Sequence, residues 1–228
     1  MNHLHTREDL RNRQHVFQNR TDAGRMLGEM LAPDFAGNSD LMLFSIPMGG
    51  VPVGLPIAEK LSCAFDLLIV RKIQIPGNTE AGMGAMTQAG DVFMNESLMA
   101  KLELDSDEVR QQAEKVRIGL KERNLRLRGG RSLPDLEGKA VILADDGLAS
   151  GFTIKAAIYM VKKRGAEKIV LAVPTAPLHT VQELISGVDA LYCPNIRDSR
   201  WFAVADAYVN WRDLSETEVL SMLGKQET

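Results

Sequence analysis

Apolar positions change period along this chain, and the changes divide it into alternating strands and helices. Between Thr21 and Leu31, the side chains of Ala23, Leu27, Met30 and Leu31 fall on one face, a helical stripe. The run LMLFSI (41–46) is nearly all apolar, stops at Pro47 and Gly49-Gly50, and reads as a buried strand. Val51 to Leu61 allows a helix, with Pro52 and Pro56 confining it to a late start or a kink. DLLIV (66–70) is a second buried strand and leads directly into Arg71-Lys72. From Ile75 to Gly90, interrupted by Gly77, Gly82, Gly84 and Gly90, no period is sustained and a mobile loop is expected. Asp105-x-x-Glu108 has the form of a capping box. It opens a helix with Val109, Ala113, Val116 and Leu120 inward that fades into Arg126, Arg128 and Arg131.

A third strand, AVILA (140–144), runs into Asp145-Asp146-Gly147 and then a helix with Ile154, Ala157, Ile158 and Val161 on one face. KIVLAV (168–173) is a fourth strand, 177–185 a helix and 190–193 a fifth strand. Ser215-x-x-Glu218 repeats the capping-box form near the end. Strands apolar on both faces and alternating with helices imply an α/β fold, a parallel central sheet of about five strands flanked by helices. Ligands of such sheets sit in the loops at the C-terminal ends of the strands. The loops 47–52, 71–90 and 145–153 are therefore the candidates.

Composition adds mainly exclusions. The 228 residues are 45% hydrophobic and 25% charged, as in an ordinary globular protein. With 27 Lys and Arg against 30 Asp and Glu, the net charge of −3 argues against a bulk electrostatic grip on nucleic acid or membrane. No run approaches the length of a membrane span, and the charged first twenty residues hold no apolar signal-peptide centre, so the cytoplasm is the expected location. Cys63 and Cys193 alone make neither a zinc site nor a disulfide framework and read as small buried hydrophobes. There is no G-x-x-x-x-G-K-[ST] loop, and Ser150 lacks the glycine two positions earlier that a nucleophile elbow requires. His3, His5 and His15 lack metal-ligand spacing, and His179 reads as a surface or capping residue more readily than as a site residue.

The chemistry concentrates in VILADDGLASGFTIKAA (141–157). Gly147, Ala149, Ser150 and Gly151 permit a tight turn whose amides converge, and Phe152 and Thr153 open a helix whose N-terminus attracts anions. Ser150 and Thr153 add hydroxyl donors. Two adjacent carboxylates, Asp145 and Asp146, would repel a phosphate beside them unless they serve sugar hydroxyls or a hydrated divalent cation. The layout suggests a ribose 5′-phosphate, with its phosphate in the turn and its hydroxyls on the carboxylates. A plain strand-to-helix turn with solvated aspartates explains the doubled Asp and the two hydroxyls poorly.

DDGLASGFT resembles the phosphoribosyl diphosphate (PRPP) signature of type I phosphoribosyltransferases. IPMGGVPV (46–53) stands where that family has its pyrophosphate loop, and DLLIVRKIQIPGN (66–78) where its second strand meets a flexible catalytic loop. The likeness covers roughly residues 15–215, and with FQNRTDAGRML (17–27) and RGGRSL it is similar to a stand-alone bacterial and archaeal subgroup of uncertain acceptor. The resemblance implies one domain over 1–228, with a core at about 35–195 and a hood from about 1–34 and 196–228. It implies an enzyme that moves ribose 5-phosphate from PRPP to a nitrogen acceptor, releasing pyrophosphate, with Mg²⁺ as cofactor and a homodimer left open. Asp145 and Asp146 would hold the ribose and, through water or ribose hydroxyls, the Mg²⁺. Residues 147, 149 and 150–153 would hold its phosphate, and Met48, Gly49, Gly50, Arg71 and Lys72 the pyrophosphate.

One position departs from the subgroup, whose pyrophosphate loop usually reads P-R-G-G where this chain has Pro47-Met48-Gly49-Gly50. Met48 brings no cation. Either Arg71 and Lys72 compensate, or the chain binds PRPP or a nucleotide as a regulator without turnover. Trp201-Phe202 either stack on the acceptor base or pack as core. Ala149 stands where hypoxanthine-guanine enzymes carry an Asp that handles a purine proton, which makes hypoxanthine and guanine the unfavoured acceptors.

Overall fold

A computed structural model describes residues 3–75, 78–102, 106–149, 151–199 and 201–224. Gly77, Asp105 and Ser150, each used in the sequence reading, lie outside the described residues. The chain begins with β1 (His3–His5), α1 (Arg20–Phe35), β2 (Leu41–Ser45), α2 (Val51–Leu61) and β3 (Ala64–Leu67). It continues through β4 (Val70–Ile75), β5 (Asn78–Thr87), β6 (Val92–Met94), α3 (Glu96–Leu102) and α4 (Ser106–Arg128). β7 (Ala140–Ala144), α5 (Phe152–Lys163), β8 (Lys168–Ala172), β9 (Thr175–Pro177) and α6 (Leu178–Ile185) follow. The last elements are β10 (Ala190–Tyr192), β11 (Asn195–Arg197) and α7 (Glu216–Met222). No helix among the described residues is long and apolar enough to cross a membrane.

Six strands form a wholly parallel central sheet in the order β1-β10-β8-β7-β2-β3. Every residue of β2 is buried because helices cover both faces, which is why the strand reads as one apolar run. Met42, Phe44, Val141 and Leu143 face α5 and α6, while Leu43, Ile142, Ala144 and Val170 face α1 and α2. From β2 the chain moves outward to β3, and from β7 it moves outward to β8 on the other side. The order therefore reverses between β2 and β7. Their following loops, 46–50 and 145–151, diverge at that point and leave a crevice.

Two features go beyond or against the sequence expectation. The sheet has six strands rather than five, because polar His3–His5 adds an edge strand on β10, with His5 stacked on the Tyr192 ring at 4.0 Å. Leu27 and Leu31 of α1 pack against α2 and the sheet, while Phe17 and Ala23 pack with Ala207 and Tyr208 of the C-terminal segment. The segment expected to be a mobile loop is an antiparallel sheet, β4-β5-β6, packed between α5 on one side and α4 on the other. Gly82 and Gly84 read as turn signals but lie inside β5, and at Gly84 another backbone comes close: a Cβ there would lie 2.6 Å from the Phe93 carbonyl oxygen. Lys163 ties this sheet to α5 through Asp91 at 2.7 Å.

The helix pattern agrees with expectation. Leu120 is buried and Val109, Ala113 and Val116 pack partly buried on the same cluster. At the other end of the chain, both halves of the Ser215–Glu218 capping box are made. Arg212 and Ser215 hold the Glu218 carboxyl at about 2. Cys193 is buried and Cys63 half-buried, and burial pushes both thiols up.

Candidate active site

The two loops at the reversal point and the antiparallel sheet with α4 enclose a cleft of about 570 Å³. Pro47, Met48 and Gly49 line it from the β2 loop, and Asp145, Asp146 and Thr153 from the β7 loop and α5. Arg71 and Lys72 enter from β4, and Gln112, Lys115, Val116 and Arg123 from α4. The two loops touch where Gly49 passes the Asp146 carboxylate: a Cβ at position 49 would stand 1.9 Å from Asp146 Oδ2. Only glycine fits there, which explains the small residue after Met48.

Asp145 and Asp146 leave β7 under different constraints. The Asp146 amide donates to Asp145 Oδ1 at 2.8 Å. Burial and then the charge of Asp146 push the Asp145 carboxyl well above the usual carboxylate range. Asp146 is held by Arg20, whose Nε donates to Oδ2 at 2.7 Å. Arg20 is itself clamped, with Nη1 donating to the Arg212 carbonyl at 2.9 Å and its guanidinium 3.7 Å from the Trp211 ring centroid. The Tyr208 hydroxyl donates to the Asp146 carbonyl at 2.5 Å. Burial, then Asp146, push that phenol up, so it stays a donor.

The small-residue turn is wired by its neighbours. The Leu148 amide donates to the Thr175 carbonyl and the Thr180 hydroxyl to the Ala149 carbonyl, each at 2.9 Å. Gly151 adopts φ +70° as the residue before α5, a conformation that favours glycine. The Lys155 amide makes the bond back to Gly151, so the amides at 152–154 are first-turn groups without an intrahelical acceptor. The first turn carries no acidic residue and no side-chain cap. An anion can therefore meet free amides and the positive helix end without competition.

Several expected residues do converge: Met48, Gly49, Arg71, Lys72, Asp145, Asp146 and Thr153 line one cleft. The aromatic pair does not join them. Trp201 is 81% exposed and the Phe202 ring lies 5.8 Å from the Arg197 guanidinium; neither lines this cleft. The aromatics packed beside the carboxylates are Tyr208, bonded to the Asp146 carbonyl, and Trp211, through Arg20. Pattern reading missed Arg20, Tyr208 and Trp211, whose contacts join the two ends of the chain, and the α4 residues, whose polar stripe reads as a solvated face. The arginines at the end of α4 find acidic partners within the chain. Arg128 is buried against Asp66, and Arg126 pairs with Glu216 at 2.5 Å. His179 is exposed.

No group of three or more His, Cys, Asp or Glu side chains gathers among the described residues. The adjacent carboxylates at the cleft floor, Asp145 and Asp146, fit a Mg²⁺ that keeps water and substrate oxygens as its other ligands.

A family model described as "Phosphoribosyl transferase domain" matches residues 18–208. Proteins of two Mycobacterium tuberculosis strains, each named "Putative phosphoribosyl transferase", are 34% identical over 210 residues. The match covers 92% of this chain and 47% of theirs, so the chain spans about half the length of these curated relatives. A Thermus thermophilus protein of known crystal structure superposes with a TM-score of 0.75 at 30% identity, covering 91% of this chain and 97% of that one. An Aquifex aeolicus protein shares the fold at a TM-score of 0.51 and 13% identity, over 78% of this chain and 74% of that one. The matched span contains both crevice loops and the paired carboxylates, and this chain belongs to the phosphoribosyl transferase domain family.

Proposed function

We propose that the protein transfers the ribose 5-phosphate group of PRPP to a nitrogen acceptor and releases pyrophosphate. The observation that carries this reading is the placement of Asp145-Asp146 directly before an acid-free helix N-terminus, at the point where the strand order reverses. The turn 147–151 and the first amides of α5, with Thr153, take the 5-phosphate. Asp145 and Asp146 accept the ribose hydroxyls. Arg20 keeps Asp146 oriented from behind. Mg²⁺, when bound by the carboxylates through water or sugar oxygens, supplies positive charge to the departing pyrophosphate. In the reaction the C1–O bond to pyrophosphate breaks with its electron pair leaving on oxygen. The acceptor nitrogen then forms the new C1–N bond and gives up its proton. The chain's part is to position both partners and to stabilise the cationic sugar between them.

A second reading, a PRPP- or nucleotide-binding protein without turnover, is favoured by Met48, which lines the cleft with a neutral side chain. One experiment separates the two. The protein is incubated with PRPP, Mg²⁺ and a panel of nucleobases, and pyrophosphate and new nucleotide are measured. Turnover is expected, with hypoxanthine and guanine the poorest acceptors because Ala149 offers no proton-handling group. Asp145→Asn and Asp146→Asn should each lower turnover by about 100-fold or more. PRPP binding without pyrophosphate release across the panel would favour the second reading.

A further inference from the structure

The wall of the cleft opposite the Met48 loop is built by α4 and β4. Gln112, Lys115, Val116 and Arg123 recur at helical spacing and line the cleft along one flank of α4, beside the stripe that packs inward. Gly119 lies within the same stripe. A Cβ there would stand 2.7 Å from Arg71 Nη1, so the absence of a side chain lets the Arg71 guanidinium rest on the helix between Lys115 and Arg123. The helical rise from Lys115 to Arg123 is about 12 Å. Over that length three cations from two elements face one cavity, and Lys72 lines it as well.

These charges are poorly offset. Arg123 Nε is buried and has no hydrogen-bond partner among the described residues. The acid on its side, Glu216, is bonded to Arg126 Nε at 2.5 Å. Burial and then the charge of Arg71 pull the Arg123 guanidinium down from its ordinary value. Gathering like charges and leaving a buried donor unpaired both oppose folding. An anion in the cleft relieves both. Across the cavity, Met48 and Gly49 offer no cation, and the strand ends offer carboxylates. The cleft thus has an anionic floor and a cationic α4 wall.

Resting on the reading of PRPP as substrate, we propose that Lys115 and Arg123 of α4, with Arg71 seated between them, hold the pyrophosphate leaving group in place of the cation that the Met48 loop lacks. The 5-phosphate and the pyrophosphate then occupy separate subsites, one on α5 and one on α4. They can be tested separately with ribose 5-phosphate and inorganic pyrophosphate as probes.

Isothermal titration calorimetry of the full chain with Mg²⁺ provides the test. The native protein should bind both probes. Lys115→Ala and Arg123→Ala should each weaken pyrophosphate by about tenfold or more, the loss of a charge-assisted hydrogen bond. Affinity for ribose 5-phosphate should stay unchanged, which also reports that the variants are folded. Arg126→Ala, which removes a cation from the same helix that is already paired with Glu216, should leave pyrophosphate affinity unchanged. Pyrophosphate affinity that survives both α4 substitutions, or that is absent from the native protein, would overturn the assignment. Pyrophosphate bound through Lys115 and Arg123 in a protein that ignores ribose 5-phosphate would support the α4 subsite and overturn the PRPP reading instead.

Discussion

Arg123 and Arg128 stand five residues apart on α4 and have opposite surroundings. Arg128 is 0% exposed, and each of its five N–H groups has an acceptor. Nε and Nη2 donate to the two Asp66 oxygens at 2.9 and 2.6 Å. Nη1 donates to Asn124 Oδ1 at 2.9 Å and the Arg131 carbonyl at 2.6 Å, and Nη2 also reaches the Ser132 carbonyl at 3.2 Å. Arg123 has a buried Nε with no partner among the described residues and faces a cavity. A satisfied cation ties α4 to β3 and serves the fold. An unsatisfied one stores interaction capacity for a ligand. The distinction lies in what each guanidinium touches, and residue type alone does not reveal it.

The contrast breaks if the two arginines respond alike. The largest effect should follow Arg128→Met, which leaves the Asp66 carboxylate half-buried without its partner. Stability in urea should fall by about 3 kcal/mol. The same pair has a pH signature. Burial pushes the Asp66 carboxyl up, but Arg128, the Leu67 amide and Arg131 together bring it below its usual value. Its stabilisation is therefore complete above the unfolded value of about 3.9 and is lost as pH falls through the lower folded one. The stability gap between native protein and Asp66→Asn should hold near neutral pH and shrink below about pH 4. A gap independent of pH would show that the ion pair is not its source.

Gly119→Ala should have a smaller effect of the opposite sign. Alanine favours a helix interior by up to about 1 kcal/mol, and the group it meets is the mobile end of Arg71. A raised thermal midpoint together with weaker pyrophosphate binding is expected. A stabilised variant with unchanged affinity would separate Arg71 from the anion wall. Arg123→Met should not lower stability at all, since it removes no satisfied bond and takes away a buried unpaired donor. A loss comparable to that of Arg128→Met would mean that Arg123 serves the fold after all.

The parts of the molecule legible in its sequence are those whose causes are local. LMLFSI and AVILA could only be strands covered on both faces, and their stops at Pro47 and Asp145 marked the loops that form the crevice. The doubled aspartate, the small-residue turn and the helix start were readable because each follows from a few neighbouring residues. Three kinds of feature were not. The β4-β5-β6 sheet was hidden because Gly82 and Gly84, read as turn signals, lie within β5, and Gly84 is there for close packing on β6. The β1 strand was hidden because an exposed edge strand needs no apolar run. The place of Trp211 was hidden because nothing local marks it: it braces Arg20, while Trp201 is largely exposed.

By itself, then, the sequence determined the α/β class, the order of the main core strands and helices and the turn of small residues after β7, because hydrophobic period and turn chemistry act over a few residues. Tertiary structure alone decided which further polar side chains, from distant parts of the chain, join or brace the cleft. Arg20 meets Asp146 across 126 positions of chain, and Arg128 meets Asp66 across 62. Arg71 reaches α4 only because Gly119 lets it approach. Such pairings depend on how layers stack. A polar residue on a helix carries the same local pattern whether it faces water, a buried carboxylate or a ligand cleft.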